Sequence, residues 1–322
     1  MVRQSFKAAV AVSAVLFAVS VAHANGVVTQ RKAGGLVFTK TDTISIESED
    51  LYISRDEIRV SYIYQSKAPK TQNVTISFPM PEVPLDDGPD TEDAFMNEKI
   101  PDKRNYMNFK VTVDGKPLQS RMVERALFNG KDITERLKKA GIPLLLVEGR
   151  QEALAKASKE IKDQLVKEEI LSFSENNSFY MTNWSYQVLF EWEQTFKPGP
   201  TKVDISYRPI YGDGADFGDY LDTGDGVKKY CADLAFRAAL KKRRGSMEPA
   251  WIGYVVKTAK YWNGPIGKFR LVVDKGRPSN LVAFCPANSK KISDTQFEWK
   301  ATNFVPQKDI DVVIFSGASE EP

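Results

Sequence analysis

Apolar side chains at every second position most limit the folds open to this chain. In the run "EIRVSYIYQ", Ile58, Val60 and Tyr62 share one face. Arg59 and Ser61 share the opposite face. The runs "TISIESEDLYIS", "NVTISFPMP" and "NFKVTVDGKPLQ" alternate in the same way. A period of two is typical of half-buried antiparallel strands, so the sequence predicts a mainly β fold.

The second half of the chain repeats, in order, motifs of the first half. "NVTISFP" resembles "KVDISYRP", and "FKVTVDGKP" resembles "FRLVVDKGRP". This order predicts two related β-sandwich-like domains, at residues 25–128 and 180–322, with Val113 and Val273 in equivalent strands. The alternative is that the Asp-Gly hairpin signal recurs in unrelated strands.

Helical patterns interrupt the β pattern, and residues 129–179 are expected to form a helical insertion between the two domains. There, "GKDITERLKKAGIP" places Asp132 at an N-cap and Glu135 three residues later. "QEALAKASKEIKDQLVKEEIL" has the spacing of one amphipathic helix. A further helix, "GVKKYCADLAFRAALKKRRG", would carry Cys231 and Leu234 on one buried stripe within the second domain.

The N-terminus has the pattern of a secretory signal peptide over residues 1–24. Arg3 and Lys7 precede a short apolar run that ends in the Ala-x-Ala cleavage pattern. The run is too short for a comfortable membrane span. We expect cleavage to leave Asn25 as the first residue of a periplasmic protein without a transmembrane span. A retained N-terminal anchor is the alternative.

His23, the only histidine of the chain, lies within this predicted signal peptide. A mature chain without histidine lacks Ser-His-Asp catalysis, Cys-His catalysis and histidine-ligated zinc. Because the signal peptide carries two basic residues and no acidic ones, its removal lowers the formal net charge from +3 to +1. That charge gives no reason to expect a nucleic-acid partner. The balance favours a binding or structural role over an enzyme.

Cys231 and Cys285 are the only cysteines. In an exported protein, two cysteines most simply form one disulfide, so we expect these two to be joined. The alternative is a redox or nucleophilic thiol, but the chain offers neither a C-x-x-C spacing nor a histidine partner.

The run "YGDGADFGDYLDTGDG" is the one candidate metal site. Its acidic residues recur at every third position: Asp213, Asp216, Asp219, Asp222 and Asp225. Calcium prefers several hard oxygen ligands on a turn-rich backbone, which makes it the only cofactor suggested. The spacing is neither that of an EF-hand nor that of a calcium β-roll. A solvated acidic loop is the alternative.

Tyr261 and Trp262 are the candidate ligand-binding residues. They lie in "YWNGPIG", beside a turn where rings can be exposed. Exposed rings stack on sugars or anchor protein partners, whereas most tryptophans are buried in cores. A ligand site is expected where the two domains meet, near these rings and the acidic loop.

Two charged groups have both a functional and a structural interpretation. Glu47 and Glu49 alternate onto one strand face, as a glycosidase pair could, although a solvated strand face is the ordinary explanation. The run "KKRRG" at residues 241–245 could contact phosphate or anionic lipid. Cations at a helix C-terminus also complement the helix dipole, which explains the run without a ligand.

With these elements in place, the chain resembles a family of exported bacterial proteins grouped as domain of unknown function 4424. The resemblance rests on "GGLVFTKTDTISIESEDLYIS", "ISFPMP", "FKVTVDGKPL", "WEQTFKPG", "WNGPIGKFRLVVDKG" and "NFVPQKDIDVVIF". It covers nearly all of the mature chain. It implies an exported, β-rich protein and supplies no catalytic residue.

Three functions follow from these patterns. The first is a periplasmic, non-enzymatic binding or scaffolding protein of the cell envelope, with an envelope protein or a glycan as its partner. The second is a carbohydrate-active or carboxylate-dependent hydrolase. The third is a calcium-dependent envelope module.

Overall fold

The computed structural model describes most of the chain after the predicted signal peptide. The described residues are 27–32, 35–85, 105, 107–144, 150–174, 179–212, 217–243 and 247–317. His23 and the predicted cleavage site lie outside them. Within these ranges, the helices are all too short or too polar to cross a membrane.

The described residues form mostly β-strands, which confirms the mainly β fold class. The strands are β1 (Val27–Lys32), β2 (Gly35–Phe38), β3 (Ile44–Ile53), β4 (Ile58–Ser66), β5 (Gln72–Pro79), β6 (Val83–Pro84), β7 (Lys110–Val113), β8 (Lys116–Leu118), β9 (Arg121–Phe128), β10 (Lys131–Asp132), β11 (Leu171–Ser174), β12 (Phe179–Thr182), β13 (Ser185–Phe196), β14 (Gly199–Tyr207), β15 (Met247–Tyr254), β16 (Ile266–Asp274), β17 (Leu281–Phe284), β18 (Lys290–Lys291), β19 (Gln296–Phe304) and β20 (Ile310–Gly317). The helices are α1 (Thr134–Lys139), α2 (Arg150–Lys156), α3 (Lys159–Lys167), α4 (Phe217–Tyr220), α5 (Gly224–Tyr230) and α6 (Leu234–Lys242), with a 3₁₀ turn at Lys257–Tyr261.

The strands form three sheets and a separate hairpin of β11 and β12. The first sheet has the order β10-β9-β13-β5-β1-β2, with β6 also paired to β13. The second has the order β18-β19-β16-β3-β4-β14-β7-β8, and the third β15-β20-β17. In the second sheet β3 and β16 run parallel, whereas β3 and β4 are antiparallel.

Aromatic side chains join the first sheet to one face of the second. Tyr64 of β4 lies 5.5 Å from Phe196 of β13 between ring centroids. Phe78 of β5 lies 5.9 Å from Tyr207 of β14. These rings stand at alternate positions of their strands, as the period of two predicts. Aromatic side chains bury large apolar areas, so these contacts stabilise the core.

The third sheet covers the rest of the same face. The hydroxyl of Tyr254 on β15 lies 2.8 Å from that of Tyr62 on β4. Phe284 of β17 lies 6.5 Å from Phe297 of β19 between ring centroids. The other side of the third sheet packs against the segment of α4 to α6 through a second apolar cluster, which includes Leu240 and Phe315.

The sheets combine strands from both predicted domains. β13 lies between β9 and β5, and β3 and β4 lie between β16 and β14. Val113 in β7 and Val273 in β16 belong to the same sheet. The prediction of two separate, superposable β-sandwiches is therefore wrong. The repeated motifs mark strands and turns, but the partner of each strand is selected by long-range packing that a local pattern does not encode.

The first helix begins later than predicted. Ile133 occupies the N-cap of α1, without a side-chain hydrogen bond. The Asp132 carboxylate accepts a hydrogen bond from the Thr134 backbone N–H at 3.0 Å. It also pairs with Arg125, at 3.0 Å. Its charge is therefore shared between the helix start and β9.

Each of the two longer predicted helices is broken in two. The first is interrupted at Ser158. The Ser158 hydroxyl accepts a hydrogen bond from the Ile161 backbone N–H and so forms the N-cap of a new helix, α3. In the second case Cys231 adopts a left-handed conformation with φ of 50°, and Asp233 caps α6. The turn rotates α6, so that Leu234 is 77% exposed and the predicted buried stripe is wrong.

The disulfide between Cys231 and Cys285 is confirmed, with the two Cα atoms 5.1 Å apart. It joins the residue after α5 to the residue after β17. The bond therefore ties the helices to the third sheet that they cover.

A β-bulge in β3 changes which residues face the core. Ile46 is buried before the bulge, and the register with β4 shifts between Ile46 and Ser48. After the shift, Glu49 is buried with Leu51. Gly267 of β16 makes room for the bulge, because a Cβ there would lie 2.6 Å from the Glu47 carbonyl oxygen.

Reduction of the disulfide should lower the free energy of unfolding. The closed loop spans 54 residues of sequence separation. A loop of that length contributes about 4 kcal/mol on the chain-entropy model. Urea denaturation with and without reductant measures the difference, and a Cys231→Ala/Cys285→Ala variant should not respond to reductant. Two titratable thiols in the denatured, unreduced protein would contradict the bond.

Gly267→Ala should destabilise the fold by about 1–3 kcal/mol, because the new methyl group overpacks against the bulge. Gly253→Ala on β15 is the matched control, since a Cβ there meets nothing within 4 Å. Thermal unfolding of both variants measures the difference. Equal melting temperatures of the two variants would show that the bulge moves to accept the methyl group without a loss of stability.

Candidate functional site

The second sheet presents a polar face on the side away from the first and third sheets. The strand register aligns side chains from β16, β3, β4, β14 and β7 in one row: Arg270, Asp50, Ser61, Asp204 and Thr112. The neighbouring residues in each strand point into the core, so the alternation of the sequence itself produces this row.

A second row runs beside the first and completes a shallow depression. Tyr52 of β3 pairs with Arg59 of β4, and Arg59 pairs with Ser206 of β14. Ser206 in turn pairs with Lys110 of β7. Side chains of both rows line a cavity of about 510 Å³. This is within the size range of small-molecule sites, about 300–1,000 Å³.

Ion pairs hold the β16 side of the depression in place. The Arg270 guanidinium donates to both Asp50 carboxylate oxygens, at 3.0 and 3.1 Å. It also donates to Glu298 at 2.8 Å. The hydrogen bond to Glu298 contributes most to raising the pKa of Arg270. Arg270 is therefore pre-oriented, which lowers the entropy that a ligand would have to remove.

Asp204 is fixed in the centre of the depression. It accepts a hydrogen bond of 2.6 Å from the Ser61 hydroxyl. Its other carboxylate oxygen lies 3.0 Å from the Lys202 ammonium. The carboxylate therefore presents a defined acceptor to a ligand in the cavity.

Tyr52 and Arg59 form one wall of the depression, with the guanidinium stacked over the aromatic ring. The guanidinium carbon of Arg59 lies 4.3 Å from the centroid of the Tyr52 ring. The Tyr52 hydroxyl donates to Asp274 at 3.1 Å. Burial, followed by the charge of Asp274, raises the pKa of Tyr52. The Tyr52 hydroxyl therefore stays protonated near neutral pH, and its hydrogen bond to Asp274 fixes the orientation of the ring.

Three side chains of the depression have polar groups left for a ligand. Lys110 is exposed, and Thr112 and Ser206 are half-buried. None of the three makes a side-chain hydrogen bond or ion pair with a described residue. The depression therefore offers an ammonium group and two hydroxyls beside fixed charges of both signs. Such a set recognises a polar ligand through several hydrogen bonds.

A second polar group lies on the inner face of the same strands. The Tyr254 hydroxyl donates to Glu49 Oε1 at 3.2 Å and then accepts from the Tyr62 hydroxyl. Glu49 Oε2 and the Tyr207 hydroxyl have no hydrogen-bond partner within the described structure. Burial raises the pKa of Glu49 to about 8. Raised pKa values often mark functional carboxyls, but Glu49 is only 1% exposed.

The prediction that Glu47 and Glu49 share a face is wrong. Glu47 is exposed and Glu49 is buried. The bulge between Ile46 and Ser48 is the physical reason, because one extra residue moves every later side chain to the opposite face.

Of the two interpretations of Trp262, the structure has the buried ring and not the exposed ligand-binding one. Trp262 is 2% exposed, and its ring lies 4.6 Å from that of Tyr64 and 6.2 Å from that of Phe196. The aromatic residues of β4 and β13 provide an apolar pocket that stabilises a large ring more than water does. Tyr261 is half-buried, and Lys260 lies over its ring at 5.3 Å.

The acidic loop is only partly described. Asp213 and Asp216 lie outside the described residues. Asp219, Asp222 and Asp225 are exposed. In the part of the chain that the structure describes, acidic, histidine and cysteine side chains form no group of three able to hold a metal ion. Calcium binding at this loop stays a prediction.

Sequence reasoning missed the depression because its residues come from strands that are far apart in the chain. Ser61 and Asp204, for example, are separated by 143 positions. One local signal did exist for Glu49. Ile44 and Ile46 alternate out of phase with Leu51 and Ile53, and both pairs can be buried only if a bulge lies between them.

Glu49→Gln should change the pH dependence of stability. The folded chain holds a proton on Glu49 up to a pKa of about 8, whereas the unfolded value is 4.5. The stability that this proton contributes is therefore complete below pH 4.5 and is lost as the pH rises through 8. The slope reaches about 1.4 kcal/mol per pH unit.

The parent chain loses this stability between about pH 5 and 8, roughly the interval between the two pKa values, whereas Glu49→Gln does not. The difference in free energy of unfolding should therefore shift in favour of Glu49→Gln as the pH rises. Urea denaturation across that interval measures the trend. Glu47→Gln, exposed on the same strand, is the control. Parallel pH profiles for all three proteins would contradict the raised pKa.

Comparisons with known proteins concern the family and the fold. A search of curated proteins finds no match. Among solved structures, a "putative nutrient binding protein" of Legionella pneumophila is similar, with a TM-score of 0.45 and 14% identity. That similarity covers 92% of this chain and 72% of the other. A score of that size supports no conclusion about function.

The family comparison is more extensive. A model described as a domain of unknown function, DUF4424, matches residues 24–313. The match includes the first two sheets, both rows of the depression, and the third sheet as far as the middle of β20. The chain therefore belongs to the DUF4424 family.

Proposed function

We propose that the protein is an exported, non-enzymatic binding protein of the cell envelope that holds a small polar ligand in the depression of the second sheet. The observation that carries this proposal is the convergence of Lys110, Thr112 and Ser206 beside fixed charges in one cavity. The N-terminal signal pattern supports export and a periplasmic location.

The ligand should both donate and accept hydrogen bonds. Asp204 and Asp50 accept, whereas Arg59, Arg270 and Lys110 donate. Charges of both signs line the same cavity, which suits a neutral polyol or a zwitterion better than a strongly charged ion. A saccharide unit of an envelope glycan has this chemistry, and so does an amino acid.

The alternative hydrolase is less well supported by the same geometry. A glycosidase needs one carboxyl that keeps its proton and a second that acts as nucleophile or base. Asp50 and Asp204 each contact a cation, Arg270 in one case and Lys202 in the other. Glu49, whose pKa is about 8, faces the core on the other side of the sheet.

Ser206→Trp should weaken ligand binding, because the indole on β14 fills part of the depression. Ser206 stands on an exposed strand face, so a large ring can be accommodated without repacking the core. We would titrate the mature chain with neutral mono- and disaccharides and with amino acids, and measure heat of binding. At least one of these probes should bind, and Ser206→Trp should weaken it by about tenfold or more, which corresponds to about 1.4 kcal/mol.

Thr302→Trp is the matched control. Thr302 is exposed on β19 of the same sheet and does not line the depression. This variant should bind the probe as the parent chain does. Binding that survives in Ser206→Trp, or no binding of any probe, would count against the site.

A further inference from the structure

The C-terminal end of α6 carries three exposed cations, Lys241, Lys242 and Arg243. Cations there complement the helix dipole, and that effect is confined to the last turn of a helix. It accounts for these three residues alone. It does not account for basic residues that other segments bring to the same place.

Two hydrogen bonds bring further segments to the end of α6. The Arg243 guanidinium donates to the Ser279 carbonyl oxygen, which attaches the helix end to the loop after β16. In that loop, the Lys275 backbone N–H donates to the Thr295 carbonyl oxygen at 2.9 Å. Thr295 directly precedes β19, at the end of the turn that follows Lys291. Three segments that are distant in sequence therefore meet at one edge of the molecule.

The lowered pKa of Lys275 indicates that other cations lie close to its ammonium group. Burial is the largest cause that lowers its pKa, and the charges of Lys291 and Arg243 lower it further. Lys275 donates to the carbonyl oxygens of Pro278 and Asn280, at 2.7 Å each. Its hydrogen bonds thus go to neutral groups, which leaves its positive charge uncompensated by any ion pair with a described carboxylate.

We name this region the basic surface. Its members are Lys241, Lys242, Arg243, Lys275, Arg277 and Lys291. Asp294 lies 3.5 Å from the Lys291 ammonium, and its charge also acts on Lys275. With Asp294 as the acidic residue paired to Lys291, the named members of the basic surface carry more positive than negative formal charge.

An exposed apolar residue follows one of these cations in the sequence. Ile292 follows Lys291 directly and is 41% exposed. Exposed aliphatic groups next to lysine and arginine are typical of proteins that lie on a membrane surface, where the cations contact lipid phosphates and the apolar group enters the headgroup boundary. Proteins that bind single-stranded nucleic acid instead place exposed aromatic rings among their cations, and those of the described residues, Phe173 and Tyr220, belong to other segments.

We propose that the basic surface docks the protein reversibly on an anionic phospholipid bilayer. The proposed docking is peripheral, through the side chains of the basic surface and Ile292. It uses residues separate from the depression of the second sheet. A protein docked in this way would carry its polar ligand site close to a membrane.

Vesicle co-sedimentation tests the proposal directly. The mature chain should sediment with vesicles of phosphatidylglycerol and phosphatidylcholine, and stay in solution with vesicles of phosphatidylcholine alone. Binding should weaken as salt increases, because screening shortens the range of the attraction. Ser206→Trp should bind the anionic vesicles as the parent chain does, which separates this proposal from the proposed function.

Charge removal identifies the docking residues. Lys241→Gln/Lys242→Gln should weaken partition into the anionic vesicles by about 30-fold, since each cation contributes about fivefold near such a surface. Lys138→Gln/Lys139→Gln is the matched control, because these two lysines are also exposed in the last turn of a helix, α1. Ile292→Ser should weaken binding without changing its salt dependence.

Three results would overturn the proposal. One is equal binding to both kinds of vesicle, and another is equal loss in the two double-lysine variants. The third is capture by heparin or DNA that depends on Lys241 and Lys242 without vesicle binding, which would assign the basic surface to a soluble polyanion. Unchanged melting temperatures of the variants ensure that a loss of binding is not a loss of folding.

Discussion

The burial of one face of the second sheet is the constraint on which the rest of the structure depends. That face is rich in aromatic rings, and Tyr64 and Tyr62 on the single strand β4 contact different sheets. The first sheet covers one end and the third covers the other, so strands from both halves of the chain must cooperate in one core.

The same burial determines where polar groups can lie. A strand that points its apolar residues inward presents alternate residues outward, so Ser61 and Asp204 are as strictly placed as their buried neighbours. The bulge in β3 is the local exception. It delivers Glu49 into the core, where Tyr254 and Tyr62 supply hydrogen bonds and burial favours the protonated carboxyl.

Local patterns predicted the elements of this fold better than their arrangement. The strand at residues 58–66 and the bond between Cys231 and Cys285 follow from alternation and from cysteine count. The helix boundaries were less well predicted. A left-handed residue at Cys231 was invisible in a pattern that reads as one continuous helix, because the helical propensity of its neighbours is unaffected by a cap that forms only on the folded sheet.

The sequence by itself determined the mainly β class, the disulfide pair and the polar character of alternate strand positions, because all three depend on residue type and short spacing. Only the tertiary structure decided which strands are neighbours. It thereby decided that Trp262 is buried, that Thr112 and Arg270 line one depression, and that Lys275 and Arg243 lie close together. Contacts between distant segments depend on how sheets cover one another, and that free energy belongs to the whole core and not to any local stretch of residues.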